Sequence, residues 1–585
     1  MSAPRPAKAG RPPWGSRKVA EPHFLEIAHR ARAAAARGLA WALVATLFVL
    51  PLAAALVQGL AQALHAQAWW ALFDEPALPR ALGLSLGVAL LATALALAGL
   101  LWCVPHLHGH PAWSALQRVL GPVLAVPHAA FAIGVGLWLM PSGLPARLLA
   151  PAFGWTAPPD VASVQDPWGL GLALALAAKE LPFLLWCVMA LLARTEQAAL
   201  LRQQIECGRS LGYGTVSLWW RVIWPQLLPQ LAWPLAAVWA YALTVVDMAL
   251  VLGPARPPTL AMLAWAWLQE AEPARQRVGA AASVLLALGV IAGMALAAVA
   301  WRAGRSAWLQ RATRGDRPAL RGTAAQAATA IWLLGGLGSV YGAVLLMLLA
   351  LSVVAWWPFP ALWPQRLGWQ AWQAVGGSAQ TLGVTAGLAL ASAAGGVALA
   401  LAWLESSPPH WDARVALGVF VPLWWPGVLL ASGLYGALLP WGLDGRWAGV
   451  WLAHLLYTVP FAWVALAPAH RAFDPRYRQV ARALGRGGAA FLWQVKWPML
   501  LAPLAAAFAV AFAVSVAQFL VTQMVGGGLW VTVTTEALTL ASGGQRDRVA
   551  AFALLQALLP ALVFGAAAAL GRWQVQRMGA AAGQR

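Results

Sequence analysis

At 585 residues, 61% hydrophobic and only 10% charged, with a mean hydropathy of +0.68, the chain is too apolar for a water-soluble enzyme. Its net charge of +20 would suit a nucleic-acid partner, but the distribution of that charge excludes one. Of 39 Lys and Arg, 29 fall on one side of the predicted spans, 9 on the other and Lys179 inside one, which is the positive-inside bias of a bacterial inner-membrane protein.

In chain order, residues 1–38 are a basic tail rich in Ala, Arg and Pro that needs no partner beyond the lipid surface. The apolar run after it is longer than a signal-peptide core and reads as an uncleaved first span. Runs near the ~20 residues that cross a bilayer predict about twelve helices: 39–62, 81–103, 119–140, 168–192, 232–253, 278–301, 331–357, 378–404, 415–439, 447–469, 504–525 and 549–571. The fold class is an all-α polytopic membrane protein. A first half, 39–301 (core 78–301), is joined by a basic cytoplasmic linker, 302–330, to a second half, 331–571 (core 376–571). A short cytoplasmic tail, 572–585, follows. Both termini are expected in the cytoplasm. His106, His108 and His110 lie in an inward loop and read as solvated rather than as a metal site, and no metal spacing stands out. Cys103, Cys187 and Cys207 give no disulfide framework.

The halves repeat each other. Leu86-Gly87-Val88 parallels Leu382-Gly383-Val384, and Pro127 with Gly134 parallels Pro426 with Gly433. Leu181-Pro182-Phe183 parallels Val459-Pro460-Phe461, and Pro258-Thr259-Leu260 parallels Val531-Thr532-Val533. An even number of spans per half gives both copies one orientation, a parallel repeat with a path expected at its interface.

The most pointed repeat is a loop between the fourth and fifth spans. Arg209-Ser210-Leu211-Gly212 is followed thirteen residues after its glycine by Pro225, and Arg482-Ala483-Leu484-Gly485 is followed at the same distance by Pro498. Before the first glycine, Leu201, Ile205, Gly208 and Leu211 share one helical stripe and Arg202, Glu206 and Arg209 another. After it, Val216, Trp219 or Trp220, and Ile223 keep helical spacing until Pro225 is expected to end the run. Two short amphipathic helices with a glycine elbow suit either another protein's groove or a lipid surface. Glu206 is read two ways, as a contact for a partner or as an order-keeping neighbour of Arg202 and Arg209.

These loops resemble the "EAA" motif of type I ABC-importer permeases: Glu-Ala-Ala, then Leu-Gly, then a hydrophobic residue and Pro. The first copy keeps Glu206, Leu211-Gly212, Ile223 and Pro225, with Cys207-Gly208 for the alanines. The second keeps Ala481, Leu484-Gly485 and Pro498, with Gln479 and Val480 at the first two positions, beside Arg482, and with Val495 three residues before the proline. The acidic residue is therefore missing in the second half. Two loops in one chain are similar to the fused permeases of the ferric-iron and thiamine importer group, and Gln518-Phe519-Leu520-Val521-Thr522 with Gly526-Gly527-Gly528 resembles their C-terminal region. The resemblance implies that each loop docks on one of two cytoplasmic ABC ATPase subunits, while a periplasmic binding protein delivers the solute. ATP and Mg would be used by the partner. Independently, Lys8, Lys18, Lys179 and Lys496 are the only lysines and none precedes Ser or Thr, so the chain lacks the phosphate-cradling loop of an ATPase.

Inside the spans, Lys179, Glu180, Asp247, His454 and Gln518 are candidates for the path. Asp247 is read either as facing it or as pairing with Lys179. The alternative function, of a different class, is an ion-coupled secondary transporter with a parallel six-span repeat, using Glu180 and Asp247 as coupling carboxylates. No nucleophile-base pair or carboxylate dyad supports an enzyme, and no cofactor is expected on this chain.

Overall fold

Ten helices of the computed structural model, which describes residues 34–193, 195–314 and 323–583, are long and apolar enough to cross a membrane. The basic tail to residue 33 and the linker segment 315–322 lie outside the described residues. We number the spans α1 (Ala34–Ala63), α2 (Leu78–Leu107), α3 (His128–Phe153), α4 (Leu170–Leu192), α5 (Thr215–Thr244), α6 (Pro273–Arg311), α7 (Ala324–Ser352), α8 (Ala379–Ser406), α9 (Gly427–Trp441), α10 (Trp447–Arg471), α11 (Leu501–Ala517) and α12 (Arg546–Arg577). The two outside the ten are α9, which is short, and α11, which meets Gly488–Met499 at a bend of 75°. All twelve expected spans have a helix, but the third of each half, 119–140 and 415–439, is interrupted: Pro111–Ala125 gives way to His128–Leu139, and Asp412–Val419 and Val421–Trp424 give way to Gly427–Leu438. Pro127 and Pro426, matched in the repeat, cap the last of these pieces, because a proline cannot supply the N–H that would continue the preceding one. The only β-structure among the described residues is an antiparallel pair, Val354–Trp356 with Arg366–Leu367, in the loop after α7.

The linker begins later than composition suggested. The helix that contains α6 runs on to Thr313, 41 residues in all or about 60 Å, and so extends past the bilayer.

Each half lends its first span to the other. Val44, Phe48, Leu52 and Ala55 of α1 lie in one apolar cluster with Leu430, Leu434, Val450 and Leu456 of the second half. Tyr341, Val344 and Leu348 of α7 lie in one with Phe131, Ile133 and Leu176 of the first. The matched glycines are where this crossing happens. Gly433 faces the backbone of Ala55 and Gly59, and Gly134 faces Val344 and Leu348. With lipid as apolar as leucine, close backbone approach at small residues replaces the hydrophobic drive that packs helices in water.

On one face the halves are also locked by Arg147, which is 4% exposed. Its guanidinium donates to the carbonyls of Ser142 (2.9 Å), Pro358 (2.7 Å), Ala361 (2.6 Å) and Trp357 (3.0 Å), and it stacks 4.5 Å from the Trp357 ring. Three of these carbonyls belong to the second half. Arg147→Ala is expected to cost about 1–3 kcal/mol by leaving them unmatched, with Arg147→Lys recovering only part because an ammonium lacks the planar fork. Thermal unfolding of the detergent-purified protein measures this, and an unshifted midpoint would remove the locking role.

Candidate functional site

Both loops fold as the repeat anticipated, around a glycine in the left-handed region. Gly212 has φ +87° and Gly485 has φ +71°. In the first loop the Tyr213 N–H bonds the Gly208 carbonyl at 3.0 Å and the Gly212 N–H that of Arg209 at 3.0 Å. In the second, Arg486 N–H bonds Ala481 O at 2.9 Å and Gly485 N–H bonds Arg482 O at 3.0 Å. These bonds from one and two residues beyond the last turn close a Schellman end, which a residue with a Cβ disfavours.

The stripe before the first glycine is buried as far as it can be. Leu201 and Ile205 are buried, and Gly208 meets Leu218 so closely that a Cβ would stand 2.7 Å from its Cδ1. Leu211 departs from the stripe: it is 58% exposed, as Leu484 is at 73%, because the elbow turns both outward. Glu206 is exposed, and Arg209 donates to Thr215 Oγ1 at 3.1 Å, so Arg209 ties the two arms together. Gln479 and Arg482 are exposed on the second loop.

After the elbow, Trp219 is the buried member of its pair and Trp220 is exposed. The expectation that Pro225 ends the run is corrected. A π-turn, Trp219–Ile223, precedes Trp224-Pro225, and Leu492–Lys496 does the same before Trp497-Pro498. The wider i→i+5 turn shifts the hydrogen-bond register ahead of the residue without an N–H, so the helix passes through the proline. In the first half the second arm thereby runs straight on as α5. Ile223 is 3% exposed, in one cluster with Leu107, Leu185 and Leu192. It fastens the loop to its own half and does not face outward. Val495 and Pro225 are half-buried and Pro498 is exposed.

The loops share a face. Arg546, at the start of α12, bonds Ser142 at 2.8 Å beside the Arg147 lock and the end of α7, so these lie at one end of the molecule. The far end of α12 reaches the second loop, where Gln574 bonds the Pro498 carbonyl at 2.8 Å. The start of α7 reaches the first, where Ala330 lies in one cluster with Trp219 and Trp224. The His tract is at that end too. His108 packs on Trp219 at 5.3 Å, and His110 accepts from the Ala112 N–H as a helix cap.

The polar groups of the spans collect where the fifth spans break. Helix α5 stops before Val245-Val246 and resumes as Asp247–Leu252, and α11 stops before Gln518-Phe519 and resumes as Leu520–Gly526. Unwound backbone inside a membrane survives only within protein or beside a cavity, which places these breaks in the interior. Near the first break, the Tyr241 hydroxyl donates to Asp247 at 3.1 Å, and Glu180 lies 3.4 Å from His128 Nε2, whose ring meets Tyr241 edge-on. Lys179 points elsewhere. It donates to the Val126 carbonyl at 2.6 Å and lies 5.4 Å from the Tyr341 ring. The structure thus gives Lys179 and Asp247 separate partners instead of pairing them.

At the second break His454 is a splint. Its Nε2 is 2.9 Å from Thr522 Oγ1 and its Nδ1 2.7 Å from Ser515 Oγ, one hydroxyl on each side of the gap. Thr522 gives its single proton to the Gln518 carbonyl at 3.0 Å, so Nε2–H must donate to it and Nδ1 accepts from Ser515. Residues not singled out in the sequence hold the helices that follow the breaks. Ser85 accepts from the Leu260 N–H at 2.8 Å and Thr385 from Val533 N–H at 2.9 Å, each capping the helix after its half's fifth span from its second. Neither was marked in the sequence, since Thr93 shares the run of Ser85 and Thr381 and Ser392 share that of Thr385.

No family model matches the chain. Over 538 residues, 92% of this chain and 96% of the relative, it is 35% identical to the inner membrane ABC transporter permease protein YnjC of Escherichia coli (strain K12). The chain is an inner-membrane ABC transporter permease. A likeness across nearly the whole of both chains takes in both halves of the permease, its two loops and its two broken spans together. The permease is a multi-pass transport subunit, and its hinged loops and interior breaks are the parts on which a transport reading must rest.

Proposed function

We propose that the permease is the translocating subunit of an importer and that its two loops couple it to a pair of cytoplasmic ABC ATPase subunits. The observation that carries this reading is geometric. Two elbows of the same hand, thirteen residues ahead of a proline carried through a π-turn, stand at one end of the molecule with Leu211 and Leu484 exposed at their tips. In the first half one helix leads from the loop to the broken span, and in the second the loop's helix meets its broken span at a bend of 75°, so a force on either loop reaches the path. ATP and Mg are consumed by the partner, a periplasmic binding protein feeds the opposite face, and both termini lie in the cytoplasm with the loops.

The Asp247–Tyr241 and Glu180–His128 pairs, with His454 and Gln518 at the second break, line the path in this reading. An ion-coupled carrier would draw instead on a proton or sodium gradient across those carboxylates. In proteoliposomes holding the complex purified through a tag on the permease, uptake is expected to need ATP inside the complex's cytoplasmic face and to persist when ion gradients are collapsed. Uptake driven by a gradient without ATP would overturn the proposal.

A further inference from the structure

The second loop lacks the acidic residue of the first yet is rich in cations, with Arg476, Arg478, Arg482, Arg486 and Lys496. A counter-charge reaches it from another helix. Glu405, next to the end of α8, places Oε1 2.7 Å from Lys496 Nζ and 2.9 Å from His470 Nε2, and Oε2 3.9 Å from Arg478. Arg478 stands on the first arm of the loop, Lys496 on the π-turn of the second, and His470 at the end of α10. One carboxylate therefore joins both arms to two spans. Beside it Arg471 grips Asp412 through two bonds of 2.8 and 2.7 Å and donates to the carbonyls of Leu404 and Ser407, which holds the end of α8 in place.

The repeat supplies the comparison. Aligned on the elbows, Arg478 falls on Ile205 and Lys496 on Ile223; aligned on Leu181-Pro182 and Val459-Pro460, His470 falls on Leu192. Ile205, Ile223 and Leu192 lie in one apolar cluster with Leu107 at the end of α2. The place filled under the first loop by an apolar contact is filled under the second by ions around one carboxylate. Lys496 and His470 are each 5% exposed there, so neutralising Glu405 leaves a buried cation without the charge that offsets its desolvation.

We infer that Glu405 is the positioning residue of the second loop, fixing the two arms against α8 and α10 so that displacement of Leu484 is passed to the spans. The inference rests on the coupling proposal for its consequence but not for its geometry. The test uses the full chain in proteoliposomes with Cys207→Ser and a nitroxide on Leu484→Cys or, separately, Leu211→Cys. Glu405→Gln is expected to mobilise the label at 484 and leave that at 211 unchanged, while Glu405→Asp keeps most of the immobilisation. The first loop's apolar set, Glu405→Leu with His470→Leu, Arg478→Ile and Lys496→Ile, is expected to restore it. In the tagged complex, Glu405→Gln should lower solute moved per ATP by roughly tenfold, the loss associated with an unpaired buried charge being at least that large. An unchanged spectrum at 484 overturns the inference, and where Glu405→Gln does not accumulate, a label left mobile by the apolar set overturns it equally. Gly485→Pro separates the two layers. If it uncouples while Glu405→Gln does not, only the positioning role fails; if it too leaves ATPase association intact, the coupling proposal fails.

Discussion

Proline at Gly212 or Gly485 is expected to abolish association with ATPase subunits while the protein still inserts. At φ +87° and +71° these positions lie where an L-residue is strained by about 1–2 kcal/mol and where proline, locked near −65°, cannot sit at all. The variant must open the elbow and lose the bonds that Gly212 and Gly485 donate to Arg209 and Arg482. Leu211→Asp and Leu484→Asp probe the tip without touching the backbone. Both leucines are exposed in the chain alone, so the fold loses nothing, but a central apolar contact with a partner is commonly worth 2 kcal/mol or more, roughly thirtyfold in affinity. ATPase activity recovered with a tagged permease is the measurement. Normal recovery from the proline variants would show that the elbows serve something other than coupling. Gly87→Ala is the control, since nothing lies within 4 Å of the added methyl.

What the amino acids revealed of this architecture is the part written in composition and spacing. Apolar length located the spans, and duplication located the loops because matched glycines and prolines recur at one interval. Helix α6 ran past its expected end since polar residues such as Arg302 and Arg305 continue a helix beyond the lipid as readily as they begin a linker. The π-turns before Pro225 and Pro498 left no such mark, because a change of hydrogen-bond register needs no particular side chain. The helical spacing of Ile223 identifies a face of a helix but not what that face meets, and the structure turns it onto its own half. The partners of Lys179, Arg147 and Glu405 were hidden for a different reason. Each lies at least 53 residues away in sequence for the bonds from Lys179 to Val126, from Arg147 to Trp357 and from His470 to Glu405, and only the crossing of spans brings them together. Glu405 also shows why the missing acid of the second loop was not a missing charge.

The glycines at the crossing give the second large effect and an order that can be wrong. A Cβ on Gly433 would collide with the Ala55 carbonyl oxygen and stand 2.8 Å from the Gly59 nitrogen, both backbone atoms of α1. Neither can rotate aside, so Gly433→Ala must push α1 off α9. Gly59 is equally committed, its own Cβ falling 2.9 Å from the Leu429 carbonyl, so the two helices touch by reciprocal small positions and cannot slide to relieve either one. At Gly134 the added methyl meets the γ-methyl of Val344, its Cβ at 3.3 Å and Leu348 Cγ at 3.4 Å, all side-chain atoms and none of them backbone. Overpacking costs about 1–3 kcal/mol, and Gly433→Ala should sit at or above the top of that range with Gly134→Ala near the bottom. Because α1 belongs to one half and α9 to the other, the loss falls on the joint between halves, and the loops should detach from each other's motion before either half unfolds. Thermal unfolding of the purified variants followed by size exclusion reads the order. Gly134→Ala proving the more damaging would mean that α7, not α1, is the helix whose backbone is held at contact.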